Sequence, residues 1–201
     1  MTIISGHYAQ LIEECLEAGI AIDAIGVQSH MHQGWWGVEK TLDVLSHFER
    51  FKRPIHFTET TIVSGQIMPP EIVDLNDYQV AEWPSTPDGE ERQAREVVTH
   101  YQTLFAHPLV ESITWWDLFD GGWLGAPAGL CHKDGTPKPA YTELMKLVKG
   151  EWWTPPTKLG TDGEGRARFT GFLGDYELAV DGVKKAFRLD AAGDAAIEVH
   201  I

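Results

Sequence analysis

Three short apolar segments alternate with stretches of helical periodicity, and this alternation constrains the fold more than any other feature. The apolar segments are residues 22–28, 54–59 and 113–116. The stretches with helical spacing are residues 8–16, 38–48 and 94–105. Strands separated by helices of this length predict right-handed βαβ units and a parallel sheet. Because such sheets bind ligands at the carboxyl ends of their strands, we expect function after Gln28, Phe57 and Trp116.

The connection at residues 60–88 is far longer than the usual loop of about 4–6 residues. Loops of such length are usually functional or disordered, so we expect one of the two here. After the third strand, the pattern predicts another long loop and a short helix from Pro139 to about Val148. This part of the chain, residues 1–150, is the first predicted domain.

The composition changes at residues 151–157, which are rich in Trp and Pro, and this predicts a rigid linker. The small β unit that we expect at residues 158–201 has four candidate strands, at residues 166–172, 176–180, 183–189 and 196–201. A hairpin turn is predicted at Asp181-Gly182. Because so few residues make a marginal core, we expect this unit to lean on the first domain.

The charge balance excludes several partners. The sequence has 16 Lys and Arg against 30 Asp and Glu, a formal net charge of -14 at pH 7. Such a charge repels nucleic acid and anionic membrane surfaces, and no basic patch offsets it. No stretch approaches the roughly 20 apolar residues that span a bilayer, and the first residues lack the pattern of a signal peptide. We therefore expect no nucleic acid and no membrane as partner, and no signal peptide in this chain.

Polar or ionisable side chains end each of the three predicted strands. They are Gln28, His30 and His32 after the first, Glu59 at the second, and Trp116, Asp117 and Asp120 at the third. Burial of a bare carboxylate is costly, so Glu59 must be solvated, paired or functional. Both an ordinary strand end that meets water and a functional carboxylate agree with this pattern.

Metal binding is the alternative use of these side chains. His30 and His32 share one face of an extended segment and could hold a metal with Glu59. No other ligand spacing supports a metal, and the two cysteines, Cys15 and Cys131, lack such spacing and are too few for a disulfide framework. We favour His30 as a hydrogen-bond partner of Glu59 and predict neither a metal nor a cofactor.

Four tryptophans, Trp35, Trp36, Trp116 and Trp123, stand beside glycines or in glycine-rich loops. Tryptophan is most often a core residue, but in polar loops it also presents a flat apolar face to sugar rings. We expect these four side chains to be exposed platforms.

Four motifs occur in a fixed order along the chain. They are IGVQSH at residues 25–30, PIHFTE at 54–59, ITWW at 113–116 with Asp120 and Trp123 after it, and PKPAY at 137–141. Together, over about residues 5–150, they resemble the C-terminal half of glycoside hydrolase family 10, the xylanases. The resemblance implies an α/β fold, a partial (β/α)8 barrel of about the last three βα units, followed by the small antiparallel β unit.

The same resemblance implies a retaining endo-β-1,4-xylanase. In such enzymes one carboxylate attacks the anomeric carbon, and a second one, about 5–5.5 Å away, protonates the leaving oxygen. Glu59 corresponds to the nucleophile, and Gln28 and His30 to residues that bind sugar hydroxyls and hold Glu59 ionised and oriented. The implied partner is xylan or a similar β-1,4-linked polysaccharide, and the implied location is secreted or at the cell surface.

Other positions match the family in part. Trp116 and Trp123 correspond to walls of the sugar site next to the cleaved bond, and Asp120 to an aspartate with a structural role. Thr61 stands where the family commonly has an aspartate that shares hydrogen bonds with the histidine. Threonine carries no charge, so His30 is less readily held as a cation.

The acid/base residue of the family is absent from this chain. In the family, that glutamate follows an asparagine on an earlier strand, whereas the one asparagine here, Asn76, precedes Asp77. The acid would have to be another carboxylate, such as Asp117, Glu82 or one from a partner chain. Three readings follow: a hydrolase with Glu59 as nucleophile, a catalytically incomplete β-glycan-binding half-barrel, and a half-barrel without activity.

Three strands cannot close a barrel of eight, and we expect them to leave strand edges and one apolar face uncovered. The β unit after residue 157, a second copy of the chain or rearranged strands could cover them. We therefore expect a homo-oligomer, or an N-terminal half that lies outside this chain.

Overall fold

The computed structural model describes residues 3–198 and 200 and divides the chain into two compact units, Met1–Met145 and Lys146–Ile201. The helices are α1 (Ile3–Glu17), α2 (Gly37–Glu49), α3 (Pro87–Phe105) and α4 (Pro139–Lys146). The strands are β1 (Ile25–Met31), β2 (Ile55–Ile62), β3 (Val110–Trp115), β4 (Gly174–Val180) and β5 (Val183–Leu189). β1, β2 and β3 form a parallel sheet in that order, as the alternation of segments predicts. No helix among the described residues is long and apolar enough to cross a bilayer.

The bounds of the elements differ from the predicted ones where local hydrogen bonds decide them. α1 ends as expected before Gly19, whose φ of +76° allows its N–H to bond to the Leu16 carbonyl. α3 begins seven residues before the predicted Ala94, at Pro87, because the Thr86 side chain caps it by accepting from the Gly89 N–H at 3.2 Å.

One face of the sheet carries the main core, and the other is polar. Ile25, Val27, Ile55 and Phe57 pack against α1, α2 and α3 through apolar side chains of those helices. The residues that alternate with them on the opposite face are Gly26, Gln28, His56, Thr58, Ser112 and Thr114. The expectation of an uncovered apolar face is therefore wrong, since small and polar residues occupy it.

Residues 63–86 are an ordered segment with a core of its own. Val63, Met68 and Trp83 are buried against Ala126 and Ala128 of the loop after β3. Arg92 on α3 fixes the start of the segment by donating to the carbonyls of residues 63 and 65 at 2.9 and 2.7 Å. The length of this connection thus reflects a packed structure rather than disorder.

The C-terminal unit contains one antiparallel hairpin. β4 and β5 pair with Tyr176 opposite Phe187, and the predicted turn at Asp181-Gly182 is confirmed, with φ of +49° and +83°. The predicted strand at residues 166–172 is irregular, because Asp162 binds the N–H groups of Glu164 and Arg166 and closes a turn. The predicted strand at 196–201 is also wrong for residues 196–198 and 200; residues 199 and 201 lie outside the described residues.

Candidate functional site

A bulge in β2 aims Glu59 at the polar face of the sheet. The pairing register of β2 shifts between Phe57 and Thr60, and the side chains of both residues are buried on the core side of the sheet. The bulge gives the strand one extra residue, so that Glu59 stays on the side opposite to the core, with its side chain 23% exposed. A carboxylate thus reaches solvent at the carboxyl end of the central strand.

Both oxygens of Glu59 accept hydrogen bonds from β1. The Gln28 amide donates to Oε1 at 2.9 Å, and His30 Nε2 lies 2.8 Å from Oε2. Two hydrogen bonds, one on each oxygen, fix the orientation of the carboxylate. The structure therefore brings together Glu59, Gln28 and His30, the three residues that the sequence placed at one strand edge.

Thr61 contacts the second nitrogen of His30. The Thr61 hydroxyl lies 3.1 Å from His30 Nδ1, and Thr61 itself is buried. A hydroxyl can donate or accept a hydrogen bond, so it suits His30 in either protonation state. Both ring nitrogens of His30 thus have a partner, which fixes the orientation of the ring.

Two tryptophans flank His30. The Trp123 ring centroid is 4.1 Å from that of His30, and the Trp116 ring meets His30 edge-on at 6.4 Å. Trp116 is 40% exposed, whereas Trp123 is half-buried. Both indoles thus lie beside the carboxylate–histidine pair.

His32 lies under this layer, and no described hydrogen bond joins it to Glu59. Its ring contacts Trp83 and Trp123, at centroid distances of 5.7 and 5.0 Å, and both ring nitrogens are buried without a hydrogen-bond partner among the described residues. Burial, and secondarily the neighbouring His30, lower the pKa of His32 to about 4. No group of three side chains able to hold a metal occurs in the described part of the chain.

Asp120 belongs to a buried network behind the site. Its Oδ1 accepts from Lys138 Nζ at 2.6 Å and from the Gly129 N–H at 3.0 Å. The Lys138 side chain is 0% exposed and also donates to Ser64 Oγ at 2.9 Å. Burial lowers the pKa of Lys138, and the hydrogen bond and charge of Asp120 oppose this shift. Asp120 thus ties the loop after β3 to the 63–86 segment and to the start of α4.

Asp117 lies two residues beyond β3 in a left-handed conformation, with φ of +68°. Its carboxylate lies against Gly122, where a Cβ would be 2.6 Å from Oδ1. Burial raises the pKa of Asp117, while the Trp123 N–H and the charge of His30 act in the opposite direction. Asp117 is therefore electrostatically linked to the site, although no described hydrogen bond joins it to Glu59.

The expected platforms Trp35 and Trp36 are instead packed inward. Trp36 lies against the main core, and Trp35 Nε1 donates to Nδ1 of the fully buried His100 at 3.3 Å. Burial lowers the pKa of His100 to about 4, so at neutral pH it is an uncharged acceptor. Both tryptophans are half-buried, and their inward contacts hold the β1–α2 loop in place.

Sequence reasoning gave no role to Lys138 or Trp83, which support the site from behind. Lys138 stands in the PKPAY motif, where its lone positive charge between two prolines is the signal that could have been followed. Trp83 lies in the long connection, and its Nε1 donates to the Gln66 carbonyl at 2.8 Å. An aromatic residue in a polar loop gives no indication of which partner will bury it.

A parallel α/β sheet with an oriented carboxylate at its carboxyl edge and indoles beside it is an arrangement typical of carbohydrate-active proteins. The model of Glycosyl hydrolase family 10 matches residues 4–147. The chain belongs to this family.

Individual relatives agree with that assignment. Endo-1,4-beta-xylanase B of Cellvibrio japonicus is 28% identical over 127 residues, which are 63% of this chain and 17% of that protein. Anti-sigma-I factor RsgI6 of Acetivibrio thermocellus is 28% identical over 165 residues, 81% of this chain and 18% of that protein. The chain thus spans less than a fifth of either relative.

Solved structures show the same fold. Xylanase 10B of Thermotoga petrophila RKU-1, in complex with xylobiose, matches with a TM-score of 0.56 and 20% identity, over 73% of this chain and 42% of the xylanase. A thermostable mutant of Xyn10A from Cellvibrio japonicus matches with a TM-score of 0.56 and 20% identity, over 74% and 45%. This chain therefore corresponds to less than half of each xylanase.

Proposed function

We propose that this chain carries the nucleophile side of a retaining glycoside hydrolase site for β-1,4-xylan or a similar β-glycan. The observation that supports it most is the Glu59 carboxylate, held by Gln28 at 2.9 Å and by His30 at 2.8 Å beside two indoles. Membership of family 10 and the likeness to xylanases agree with this activity and substrate.

Glu59 attacks the anomeric carbon and displaces the glycosidic oxygen, which leaves with a proton from the acid; water then hydrolyses the glycosyl–enzyme ester that has formed. The Gln28 amide and the His30 N–H hold one oxygen each, so the attacking carboxylate needs no reorientation when sugar binds. Trp116 and Trp123 wall the sugar whose bond is cleaved, through apolar contact with the faces of its ring.

The acid comes from outside this set of residues. Of the two carboxylates considered above, Asp117 lies against Gly122 in the loop after β3, and Glu82 is exposed on the 63–86 segment. Neither has a described contact with Glu59. We propose that a barrel half outside this chain, or a partner chain, supplies the acid and pairs with the open edges of β1 and β3. We likewise propose that residues 1–150 form a partial (β/α)8 barrel, that residues 151–157 are a linker, and that residues 158–201 form a small β unit.

The second candidate is a β-glycan-binding half-barrel without turnover. It is favoured by the absence of an Asn-Glu pair from the sequence. One relative is named an anti-sigma factor, and that name mentions no hydrolytic activity. In this alternative the polar groups and indoles hold sugar and no bond is cleaved.

Two substrates separate these candidates. 2,4-Dinitrophenyl β-xylobioside has a leaving group that departs without a proton, whereas xylan requires an acid. We expect the chain to cleave the aryl xyloside. It should cleave xylan at least about a hundredfold more slowly than the aryl xyloside, because general acid catalysis is lost. Glu59→Gln should lose both activities. Cleavage that persists in Glu59→Gln would refute the role of Glu59. Xylotriose binding without any cleavage of the aryl xyloside would support the second candidate instead.

A further inference from the structure

The 63–86 segment is fastened to the two residues that follow β1. The Met68 N–H donates to the His32 carbonyl at 2.8 Å. The Gln33 amide donates to two further carbonyls of the segment, at 3.0 and 2.7 Å. Three hydrogen bonds between two such short stretches fix the position of the segment relative to the end of β1.

Trp83 is the residue of this segment whose ring reaches His32. Its Nε1 donates to the Gln66 carbonyl at 2.8 Å, and the Tyr78 ring meets its indole edge-on at 4.7 Å between centroids. The indole so held lies 5.7 Å from the His32 ring. Because Trp83 is only 9% exposed, it offers no face to a sugar ring, and any effect on the site passes through its neighbours.

The side chain of His32 is held in place by packing. Both of its ring nitrogens are buried and have no hydrogen-bond partner among the described residues. Its ring contacts the indoles of Trp83 and Trp123, at 5.7 and 5.0 Å between centroids. A buried side chain without such bonds takes its position from the atoms packed around it. The two indoles therefore set where this imidazole lies.

His32 in turn lies beside the histidine of the site. The rings of His30 and His32 are stacked, with centroids 6.2 Å apart and planes 24° from parallel. His30 Nε2 lies 2.8 Å from Glu59 Oε2. If His32 moves away, the His30 ring gains room to turn from the carboxylate.

We propose that Trp83 is a positioning residue that, through His32, holds His30 in the orientation in which it bonds to Glu59. The 63–86 segment thus acts on the site through packing rather than through contact with sugar. The effect on cleavage rests on the function proposed above, whereas the hold of Trp83 on His30 does not. Without the indole, Glu59 loses one of its two hydrogen bonds for part of the time, which slows its attack.

Two variants of Trp83 and one control separate positioning from loss of stability. Trp83→Leu removes the ring, whereas Trp83→Phe keeps a ring against His32 and loses only the Nε1 donor. Trp115→Leu is the matched control. Trp115 also donates from Nε1 to a carbonyl, that of Ala128 at 3.1 Å, but its indole packs beside the Tyr101 ring of α3 at 6.4 Å between centroids.

The readouts are kcat and KM for 2,4-dinitrophenyl β-xylobioside and the 15N signal of His30 Nε2, which is assigned by its loss in His30→Gln. That signal depends on whether the nitrogen carries and shares a proton. We expect Trp83→Leu to shift it and to lower kcat about tenfold with KM within about twofold, as fits partial loss of one hydrogen bond to a charged group. Trp83→Phe should keep kcat within about threefold, and Trp115→Leu should change neither readout, because His32 keeps its ring contacts.

The route through His32 is tested by a double variant. His32→Ala removes the side chain between Trp83 and His30 and breaks no described side-chain hydrogen bond, so it should give the same signal shift and the same loss of kcat. If Trp83 acts through His32, adding Trp83→Leu to His32→Ala should slow cleavage no further. His32→Ala alone also tests the proposal if Trp83→Leu does not fold.

An unchanged His30 signal in Trp83→Leu or His32→Ala would overturn the positioning role, whatever the rates do. A shifted signal with unchanged kcat, or a higher KM at constant kcat, would overturn it as well, because orientation of Glu59 would then not be what Trp83 supplies. Additive losses in the double variant would overturn the route through His32. If the unmodified chain does not cleave the aryl xyloside, the proposed function fails, and the His30 signal still decides whether Trp83 holds His30.

Discussion

Neutralising Asp120 is expected to destabilise the N-terminal unit strongly, although Asp120 takes no part in the chemistry. The Lys138 side chain is 0% exposed and that of Asp120 9%, and their charged atoms lie 2.6 Å apart. In Asp120→Asn the ammonium stays buried with neutral acceptors only, among them Ser64 Oγ at 2.9 Å. Breaking a buried ion pair by removal of one partner costs about 3–5 kcal/mol. Asparagine keeps an oxygen that can accept from Lys138 and Gly129. We therefore expect the free energy of unfolding to fall by about 3 kcal/mol, the lower end of that range.

Urea unfolding at neutral pH measures this cost as a change in the free energy of unfolding. The double variant Asp120→Asn with Lys138→Met should recover most of the loss, since an apolar side chain in place of a buried ion pair is often close to neutral. Glu13→Gln is the matched control in the same unit, because its pair with Arg50 is exposed and should cost no more than about 1 kcal/mol. A cost below about 1 kcal/mol in Asp120→Asn, or no recovery in the double variant, would refute the reasoning on the buried charge.

Three further changes have defined outcomes. Burial holds the pKa of His100 at about 4 against an ordinary 6.5. Between these two values the unfolded chain takes up a proton that the folded chain does not. The contribution of neutral His100 to stability is therefore complete above pH 6.5 and is lost as pH falls toward 4. That difference corresponds to about 3 kcal/mol, and His100→Gln should remove this part of the acid sensitivity in urea titrations; an unchanged pH dependence would argue against it. Thr61→Val removes the hydroxyl that lies 3.1 Å from His30 Nδ1 and should slow cleavage of the aryl xyloside about tenfold, with recovery in Thr61→Ser; equal rates in Thr61→Val and Thr61→Ser would mean that this hydroxyl does not orient His30. In Gly89→Ala the added Cβ would lie 2.0 Å from the Ser64 carbonyl oxygen, so thermal unfolding should show a loss of about 1–3 kcal/mol, and an unaltered melting temperature would contradict this close approach.

Periodicity alone predicted the parallel sheet and the edge at which the site lies. Helical and strand spacing report which faces are buried, and the order of elements then leaves few topologies. Because the carboxyl ends of neighbouring parallel strands meet at one edge, Gln28, His30 and Glu59 could be placed together before any distance was known. Their hydrogen bonds at 2.8 and 2.9 Å agree with that placement.

Contacts between distant segments account for what the sequence could not predict. The bulge that aims Glu59 depends on the pairing of β2 with both neighbours, which no local pattern encodes. Trp35 is turned toward α3 because His100, 65 residues away, accepts its N–H. Lys138 is buried because Asp120 and Ser64 meet it from two other loops. Each of these features requires a partner that only the folded chain supplies.

Covalent trapping tests the central claim, that Glu59 is a nucleophile oriented by His30 and Gln28. The reagent is 2,4-dinitrophenyl 2-deoxy-2-fluoro-β-xylobioside, whose leaving group needs no acid and whose fluorine slows hydrolysis of the ester. Mass spectrometry of the digested chain should find one 2-fluoroxylobiosyl adduct, on the peptide with Glu59, and none in Glu59→Gln. An adduct on another carboxylate, or a chain that binds xylotriose but gains no adduct, would contradict the account.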